Sequence, residues 1–186
     1  MNLTARAKEQ NLNLEQRAQQ IKVLIFDIDG VMTDGRMGYS NDPDDEIKFF
    51  NARDGLGLRQ AMRAGFMVGA VSGRRAKANH RRLISELCFS FLYEKVIRKG
   101  DTIPEIAKEH DFKLEECLYI GDDLIDIPVF RQVGLSGTVS DAAEYMDEYC
   151  DFRTSRAGGF GAVREAIDWL LHVQGKWDKS IERYTK

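Results

Sequence analysis

Apolar, strand-like segments alternate with helix-like segments along most of this chain, and this alternation restricts its fold more than any other feature. Such a pattern predicts an α/β, Rossmann-like fold: a parallel sheet with helices on both faces. The predicted strands are 21–26, 66–71, 89–93, 117–120, 134–139 and 149–152. The predicted helices are 54–63, 75–87, 103–110, 124–132 and 162–173.

Two short β-capable runs, 36–39 and 46–51, flank a cluster of turn-forming residues. Turn formers between such runs predict a small β-hairpin, which we interpret as a flap beside a functional site. A chain of 186 residues is expected to form one main domain. We place that domain at 21–173, after a helical extension at 1–20 and before a polar C-terminal tail at 174–186.

Composition and charge exclude several classes of partner. The formal net charge of −3 gives no reason to expect binding to nucleic acid. No apolar run is long enough to cross a bilayer, so we expect no membrane partner. Residues 1–20 are polar and lack the apolar stretch of a secretory signal, which favours a cytoplasmic location.

Two carboxylates follow the first predicted strand at once, in the run Phe26-Asp27-Ile28-Asp29-Gly30. Side chains of extended backbone repeat every second residue, so Asp27 and Asp29 can point into the same crevice. Ligands of open α/β sheets bind outside such carboxyl ends. One carboxylate can attack a phosphorus atom while its neighbour handles a proton, and both can help to hold a hard cation.

Three further polar signals each come after a later predicted strand. Ser72 and Gly73 follow the second strand, where a hydroxyl can donate to a phosphoryl oxygen and glycine lets the backbone approach it. Lys99 follows the third strand at the start of a helix, where its ammonium can neutralise a phosphate. Asp122 and Asp123 follow the fourth strand and can complete an oxygen-rich magnesium shell.

These four signals, in this order, resemble the four signature motifs of the haloacid dehalogenase-like phosphatases across nearly the whole predicted fold. The resemblance implies that Asp27 is the nucleophile that takes the phosphoryl group. It implies that Asp29 protonates the leaving oxygen and later activates water. It also implies a Mg²⁺ ion held by Asp27, the backbone carbonyl of Asp29 and Asp122, with Ser72 and Lys99 stabilising the phosphoryl oxygens.

The spacing of the motifs leaves no room for the cap domain that larger members of this family insert. Only 42 residues separate Asp29 from Ser72, and 26 separate Ser72 from Lys99. An uncapped crevice is open to water, which competes with the substrate for the reacting site. We therefore expect a homo-oligomer in which the flap or a neighbouring subunit covers each site. The oligomer that we expect is a homotetramer.

Within the capless group, the chain resembles phosphatases of an eight-carbon keto-acid sugar destined for lipopolysaccharide, in stretches 50–55, 73–77, 121–126 and 157–165. The resemblance implies a small sugar-acid phosphate as substrate. Its carboxylate lies far from the phosphate and calls for guanidinium groups that can pair with a planar anion. The candidate substrate-binding residues are Asp29, Asn51, Ala52, Arg53, Asp54, Gly55, Arg59, Ser72, Gly73, Arg74, Arg82 and Lys99.

Three positions depart from the family pattern. Ser72 stands where threonine is common, which keeps the hydroxyl. Lys95 stands where a glycine is expected four residues before Lys99, so either lysine can be the one that serves the phosphate. Phe160 interrupts a glycine-rich segment where relatives often have arginine, which weakens a polar contact there.

Other functions stay open at this point. One alternative is a phosphatase for a nine-carbon keto-acid sugar, or a more permissive sugar phosphatase. Another is a phospho-accepting regulatory domain of the receiver type, although there the phosphorylated aspartate follows a later strand than Asp27 does. The third is a scaffold that keeps the fold without catalysis.

Overall fold

The computed structural model of the protein describes residues 11–41 and 46–186. Its central sheet has six strands: β1 (Val23–Phe26), β4 (Met67–Val71), β5 (Phe91–Tyr93), β6 (Cys117–Ile120), β7 (Leu135–Thr138) and β8 (Phe152–Arg153). The strands lie in the order β5-β4-β1-β6-β7-β8, and every neighbouring pair is parallel. The expected Rossmann-like sheet is therefore confirmed.

The predicted hairpin is also present. It consists of β2 (Gly38–Tyr39) and β3 (Glu46–Ile47), which pair antiparallel as a separate two-stranded sheet. In the part of the chain that the structure describes, these two sheets are the only ones. A cap domain is thus missing from the described residues, as the motif spacing predicts.

Helices connect the strands and cover both faces of the sheet. The α-helices are α1 (Asn11–Ala18), α2 (Ala52–Arg63), α3 (Lys77–Asn79), α4 (Lys99–Glu109), α5 (Ile127–Phe130), α6 (Ala162–Val173) and α7 (Trp177–Thr185). Shorter turns are the π-helix His80–Glu86 and the 3₁₀ helices Leu114–Glu116, Leu124–Asp126 and Glu144–Glu148. None of the described helices combines the length and apolar character needed to span a membrane.

The strand β1 shows why helices occupy both faces. Its side chains alternate, so Leu24 and Phe26 join the core that contains residues of α1, α2 and α6. Val23 and Ile25 join the opposite core, which contains residues of α4 and α5. All four side chains are buried, and each contributes roughly 1.5–3 kcal/mol of hydrophobic stabilisation. This central strand holds the site rigidly at its carboxyl end.

The order of the strands creates the crevice. The chain runs from β1 outward through β4 to β5, and then returns to place β6 on the other side of β1. Ligands of such sheets bind where the direction of winding reverses, outside the carboxyl ends of the strands. In this protein that point lies between β4, β1 and β6.

Two predicted helical features differ from the structure. The predicted helix 75–87 is instead the short α3 followed by the π-helix. The tail predicted at 174–186 contains α7, which docks through the ring of Trp177 stacked on His172 and through a hydrogen bond from Arg63 to the hydroxyl of Tyr184. The polar composition of this segment hid its amphipathic spacing.

The predicted N-terminal extension contributes to the core of the protein. Residues 1–10 lie outside the described residues, but α1 buries Leu14 and Ala18 in the core beside α6. Arg17 of the same helix donates two hydrogen bonds to Asp151 and one to the carbonyl of Gly134. Helix α1 therefore closes one face of the sheet.

Candidate active site

A buried lysine joins two carboxylates at the carboxyl end of β1. The ammonium Nζ of Lys99 lies 2.7 Å from Oδ1 of Asp27 and 2.7 Å from Oδ1 of Asp126. The side chain of Lys99 is 0% exposed. A charged lysine is found fully buried almost only when it is paired. This ion-pair triad is the centre of the site.

Asp126 anchors the cluster from the segment after β6. Its Oδ2 accepts hydrogen bonds from the backbone amides of Asp122 at 3.0 Å and Asp123 at 3.2 Å. Its Oδ1 accepts a hydrogen bond of 2.6 Å from the buried hydroxyl of Tyr119, besides the one from Lys99. The hydroxyl of Tyr119 and the two amides fix Asp126, which in turn fixes the position of Lys99.

The start of α4 is held so that Lys99 reaches the site. Lys99 is the first residue of α4, and Pro104 within the helix has no amide to donate to the carbonyl of Gly100. The side-chain amide of Gln132 donates to that carbonyl instead, at 2.9 Å. A Cβ at Gly100 would lie 2.5 Å from Cβ of Pro128, so α4 and the α5 region pack with no room for a larger residue.

The cluster is short of positive charge. Burial raises the pKa of Asp27 to about 6, although Lys99 lowers it. Burial, together with the carboxylates of Asp27 and Asp126, raises the pKa of Asp122 to about 8. Burial lowers the pKa of Lys99, but the two neighbouring carboxylates outweigh that effect and raise it overall. Three carboxylates thus share one ammonium.

The donor set fits a hard divalent cation. Oxygen atoms of Asp27, Asp122 and Asp126 lie within 4.8 Å of one another, and this is the group found among the described residues that could hold a metal ion. Mg²⁺ prefers carboxylate oxygens, and a divalent charge balances the excess negative charge of the cluster. The side-chain carboxylate of Asp29 is not part of this group; the ligand expected from Asp29 is its backbone carbonyl.

A glycine allows Asp122 to approach. Gly30 has a φ of +93°, in the left-handed region, and a Cβ at this position would lie 2.0 Å from Oδ2 of Asp122. Any side chain would therefore push Asp122 out of the cluster. Gly158 packs against the same loop, since a Cβ added at this position would lie 1.7 Å from the carbonyl oxygen of Gly30. The glycine-rich segment near 158 thus packs directly behind the site.

Asp29 belongs to a second group, which includes residues of the hairpin. Lys48, just after β3, places Nζ 2.6 and 2.8 Å from the two carboxylate oxygens of Asp29. The hydroxyl of Ser72 lies 3.5 Å from Oδ2 of Asp29. Glu46 of β3 forms an ion pair with Arg74, and the hydrogen bond that the Arg74 guanidinium donates in this pair lowers the pKa of Glu46. The structure therefore brings Asp29, Ser72 and Arg74 to the crevice beneath the hairpin.

The predicted residues around the start of α2 have local structural partners. Asn51 caps α2 by accepting a 2.8 Å hydrogen bond from the amide of Arg53, and it donates to the carbonyl of Gly159 at 3.0 Å. Ala52 is the first residue of the helix, and Arg53 is exposed. Gly73 lies against Ile97 and Ile125 on the rim of the crevice.

Asp54, a predicted substrate contact, is buried and bonded to helix α6. Its side chain is 2% exposed, and Oδ1 accepts a 2.8 Å hydrogen bond from the amide of Arg164 in the first turn of α6. Burial raises the pKa of Asp54 to about 6. Within the described part of the chain, its Oδ2 has no hydrogen-bond partner. Asp54 therefore links α2 to the start of α6.

Two predicted substrate arginines also meet other partners. Arg59 donates to the backbone carbonyl of Glu86, and Arg82 donates to the carboxylate of Glu86. A Cβ at Gly55 would lie 2.3 Å from the guanidinium of Arg82, so the two residues are close neighbours. The structure thus gathers Arg59, Arg82 and Gly55 around the end of the π-helix.

Of the two candidate lysines, the structure places Lys99 beside Asp27. Lys95 is exposed and has a φ of +61°, in the region that favours glycine, which fits the glycine expected at this position. Four residues of the site were missed by the sequence reasoning: Glu46, Lys48, Tyr119 and Asp126. Asp126 had a detectable signal, because Asp123 and Asp126 form a capping box at the 3₁₀ turn.

The fold and these groups define a class of protein. A carboxylate at the end of the central strand, a paired lysine and a cation-binding carboxylate cluster are suited to phosphoryl transfer. A family model described as haloacid dehalogenase-like hydrolase matches residues 84–167. With the relatives described next, this shows that the chain belongs to the haloacid dehalogenase-like hydrolases.

The particular relatives are phosphatases of one kind. The chain is 40% identical over 164 residues to the 3-deoxy-D-manno-octulosonate 8-phosphate phosphatase KdsC of Escherichia coli, covering 88% of this chain and 86% of that protein. It is 37% identical over 163 residues to KdsC of Haemophilus influenzae, covering 88% of this chain and 89% of that protein.

Solved structures of such phosphatases have the same fold. The enzyme of Yersinia pestis superposes with a TM-score of 0.84 at 40% identity, covering 89% of each chain. The enzyme of Moraxella catarrhalis, crystallised with a magnesium ion, a phosphate ion and a KDO molecule, gives a TM-score of 0.87 at 31% identity, covering 92% of this chain and 98% of that one.

Proposed function

We propose that this protein is a magnesium-dependent phosphatase that hydrolyses 3-deoxy-D-manno-octulosonate 8-phosphate to the free sugar acid and phosphate. The observation that carries the reaction type is the buried arrangement of Lys99 between Asp27 and Asp126, with Asp122 beside them. The choice of substrate is supported by the similarity to KdsC phosphatases over 88% of the chain.

In the first half of the reaction, a carboxylate oxygen of Asp27 attacks the phosphorus atom and the bond from phosphorus to the sugar oxygen breaks. Asp29 gives its proton to the departing oxygen, so the sugar leaves as an alcohol. Lys99 and the hydroxyl of Ser72 stabilise the phosphoryl oxygens. Lys99 is already oriented by Asp126, so little reorganisation is needed as charge develops.

In the second half, water attacks the phosphorus atom of the aspartyl phosphate. Asp29 takes a proton from that water, the acyl phosphate bond breaks, and phosphate and the carboxylate of Asp27 are restored. We assign the magnesium site to Asp27, Asp122 and the backbone carbonyl of Asp29. When bound, the ion supplies charge neutralisation for the phosphate that one lysine cannot provide alone.

We assign the recognition of the sugar carboxylate to Arg74. Its backbone amide donates to the hydroxyl oxygen of Ser72 at 3.1 Å. The side chain of Arg74 therefore begins at the edge of the proposed phosphoryl site. The other proposed contributors to the substrate site are Asn51, Ala52, Arg53, Asp54, Gly55, Arg59, Gly73 and Arg82.

We propose a homotetramer in which a neighbouring subunit covers each crevice. The outward face of the hairpin supports this proposal, because Tyr39 is 72% exposed and Phe49 is 67% exposed. Exposed apolar patches of this kind mark interaction sites. We also propose a cytoplasmic location, a role in lipopolysaccharide precursor synthesis and the division into an extension, a domain at 21–173 and a tail.

A phosphate-release assay against a panel of sugar phosphates tests the proposed function. The panel includes the octulosonate 8-phosphate, the phosphate of a nine-carbon keto-acid sugar and neutral hexose phosphates, each with magnesium and with chelator. We expect the octulosonate 8-phosphate to be preferred, and the Asp27→Asn variant to show no turnover. A preference for the nine-carbon substrate would refute the proposed choice of substrate, and an active Asp27→Asn variant would refute the proposed mechanism.

A further inference from the structure

The two carboxylates that follow β1 are each paired with a different lysine. Lys99 of α4 binds Asp27, whereas Lys48 of the hairpin binds both oxygens of Asp29. Among the described residues, Lys48 provides the only ammonium or guanidinium within hydrogen-bond distance of Asp29. The orientation of Asp29 in the crevice therefore depends on a residue outside the signature motifs.

The side chain of Lys48 is buried although its segment is a short surface hairpin. It is 2% exposed, while the neighbouring Ile47 and Phe49 are exposed. Side chains alternate along extended backbone, so Glu46 and Lys48 face the crevice and the apolar residues face outward. This is the reverse of the pattern that stabilises a hairpin on a core.

That reversal argues against a purely structural purpose for the ion pair. Burying an ammonium and a carboxylate costs desolvation free energy, and apolar residues of similar volume often stabilise a fold as well or better. The chain has apolar residues at the adjacent positions and turns them away from the site. The charge of Lys48 is therefore best explained by what it does to Asp29.

We propose that Lys48 is a positioning residue for Asp29, an inference that rests on the proposed phosphatase function. Its ammonium fixes the carboxylate of Asp29 next to Ser72, at the place from which a proton reaches the leaving oxygen. The proton transfer assigned to Asp29 thus requires the hairpin to be docked. Glu46 reinforces this docking, since it pairs with Arg74 and lies 3.7 Å from Nζ of Lys48.

The dependence of the rate on the leaving group tests this role. An alkyl oxygen needs a proton as it departs, whereas the nitrophenolate of p-nitrophenyl phosphate leaves without one. In the Lys48→Met variant we expect kcat/KM for the best alkyl phosphate substrate to fall about 100-fold, within the range of general acid catalysis. For p-nitrophenyl phosphate we expect a fall of less than about threefold, because Asp27 and Lys99 are untouched.

Two further variants separate positioning from loss of structure. Lys48→Arg keeps the charge and should restore kcat/KM for the alkyl phosphate to within about tenfold of the wild type. Lys22→Met removes the lysine of the exposed pair with Glu116 at the opposite end of β1, and should leave both substrates unaffected. Thermal unfolding of each variant shows whether the fold is kept.

The outcomes distinguish this inference from the proposed function. Equal losses of kcat/KM on both substrates, no loss at all, or failure of Lys48→Arg to restore the alkyl reaction would overturn the role of Lys48. No turnover by the wild type on either substrate would overturn the proposed function and this inference with it. A different preferred sugar phosphate would change only the substrate, because the comparison uses whichever alkyl phosphate reacts fastest.

Discussion

The buried cluster around Asp27 and the hairpin group around Asp29 each hold a carboxylate with a lysine, but the two lysines are held in place in different ways. In the first, Lys99 is fully buried and is held by Asp126, which three further donors fix in place. In the second, Lys48 comes from a two-stranded sheet whose outer face is exposed. One carboxylate is thus held by the core of the domain and the other by a hairpin outside the central sheet.

In the proposed mechanism, this difference separates two tasks within one crevice. The nucleophile and the cation site need a rigid, low-dielectric setting, where fixed charges act strongly and need no reorganisation. The acid and the recognition of the sugar need an element that can release product and admit substrate. The contrast predicts that changes in the cluster abolish the reaction, whereas changes in the hairpin group alter how substrates are distinguished.

The largest effect is expected from Lys99→Met. Removing the ammonium leaves two carboxylates buried without their cation, so we expect a loss of about 3–5 kcal/mol of stability and of at least about 1000-fold in kcat. Thermal unfolding in the presence of chelator and phosphate release with magnesium measure the two effects. Lys95→Met is the matched variant, and a larger loss there would assign the catalytic lysine to position 95.

A smaller, substrate-dependent effect is expected from Arg74→Met. A charge-assisted bond to the substrate carboxylate contributes about 1.5–3 kcal/mol, so KM for the sugar-acid phosphate should rise about 10- to 100-fold. KM for p-nitrophenyl phosphate, which has no carboxylate, should change little. Arg131→Met, at an exposed position after α5, is the matched control. Equal increases in KM for both substrates would show that Arg74 serves the phosphate and not the sugar acid.

The third effect concerns stability and not activity, at Asp54, a buried carboxylate that accepts a hydrogen bond from a backbone amide. The unfolded carboxyl has a pKa near 3.8 and burial raises the folded pKa to about 6, so the folded state binds more protons between these values. Stability is therefore lost as pH rises through this window. Relative to the wild type, Asp54→Asn should gain up to about 3 kcal/mol in unfolding free energy between pH 4 and pH 7. Denaturant titrations at both pH values measure this gain, and a difference that does not vary with pH would contradict it.

Much of the buried cluster could be predicted from the sequence, for a physical reason. Asp27 and Asp122 each follow an apolar segment, and the carboxyl ends of parallel strands meet at one edge of a sheet. Their juxtaposition follows from local patterns alone. The spacing of Asp123 and Asp126 fits a capping box, but that pattern indicates only a local turn and does not reveal the contact of Asp126 with Lys99.

The hairpin group could not be predicted in the same way. Which residues of a two-stranded hairpin face inward depends on how it docks, and the inward residues here are charged, contrary to the usual pattern. For Asp54, Arg59 and Arg82 the motif pattern identified the stretches but not the direction of the side chains. Asp54 turned toward α6, and the two arginines share Glu86.

The covalent intermediate on Asp27 is the central claim, and it can be trapped. Enzyme and substrate are mixed with magnesium, quenched within one turnover and treated with borohydride, which reduces an aspartyl phosphate to homoserine. Peptide mass mapping then locates the reduced residue. The account predicts homoserine at position 27 and at no other aspartate, whereas reduction at another position, or none during active turnover, would contradict it.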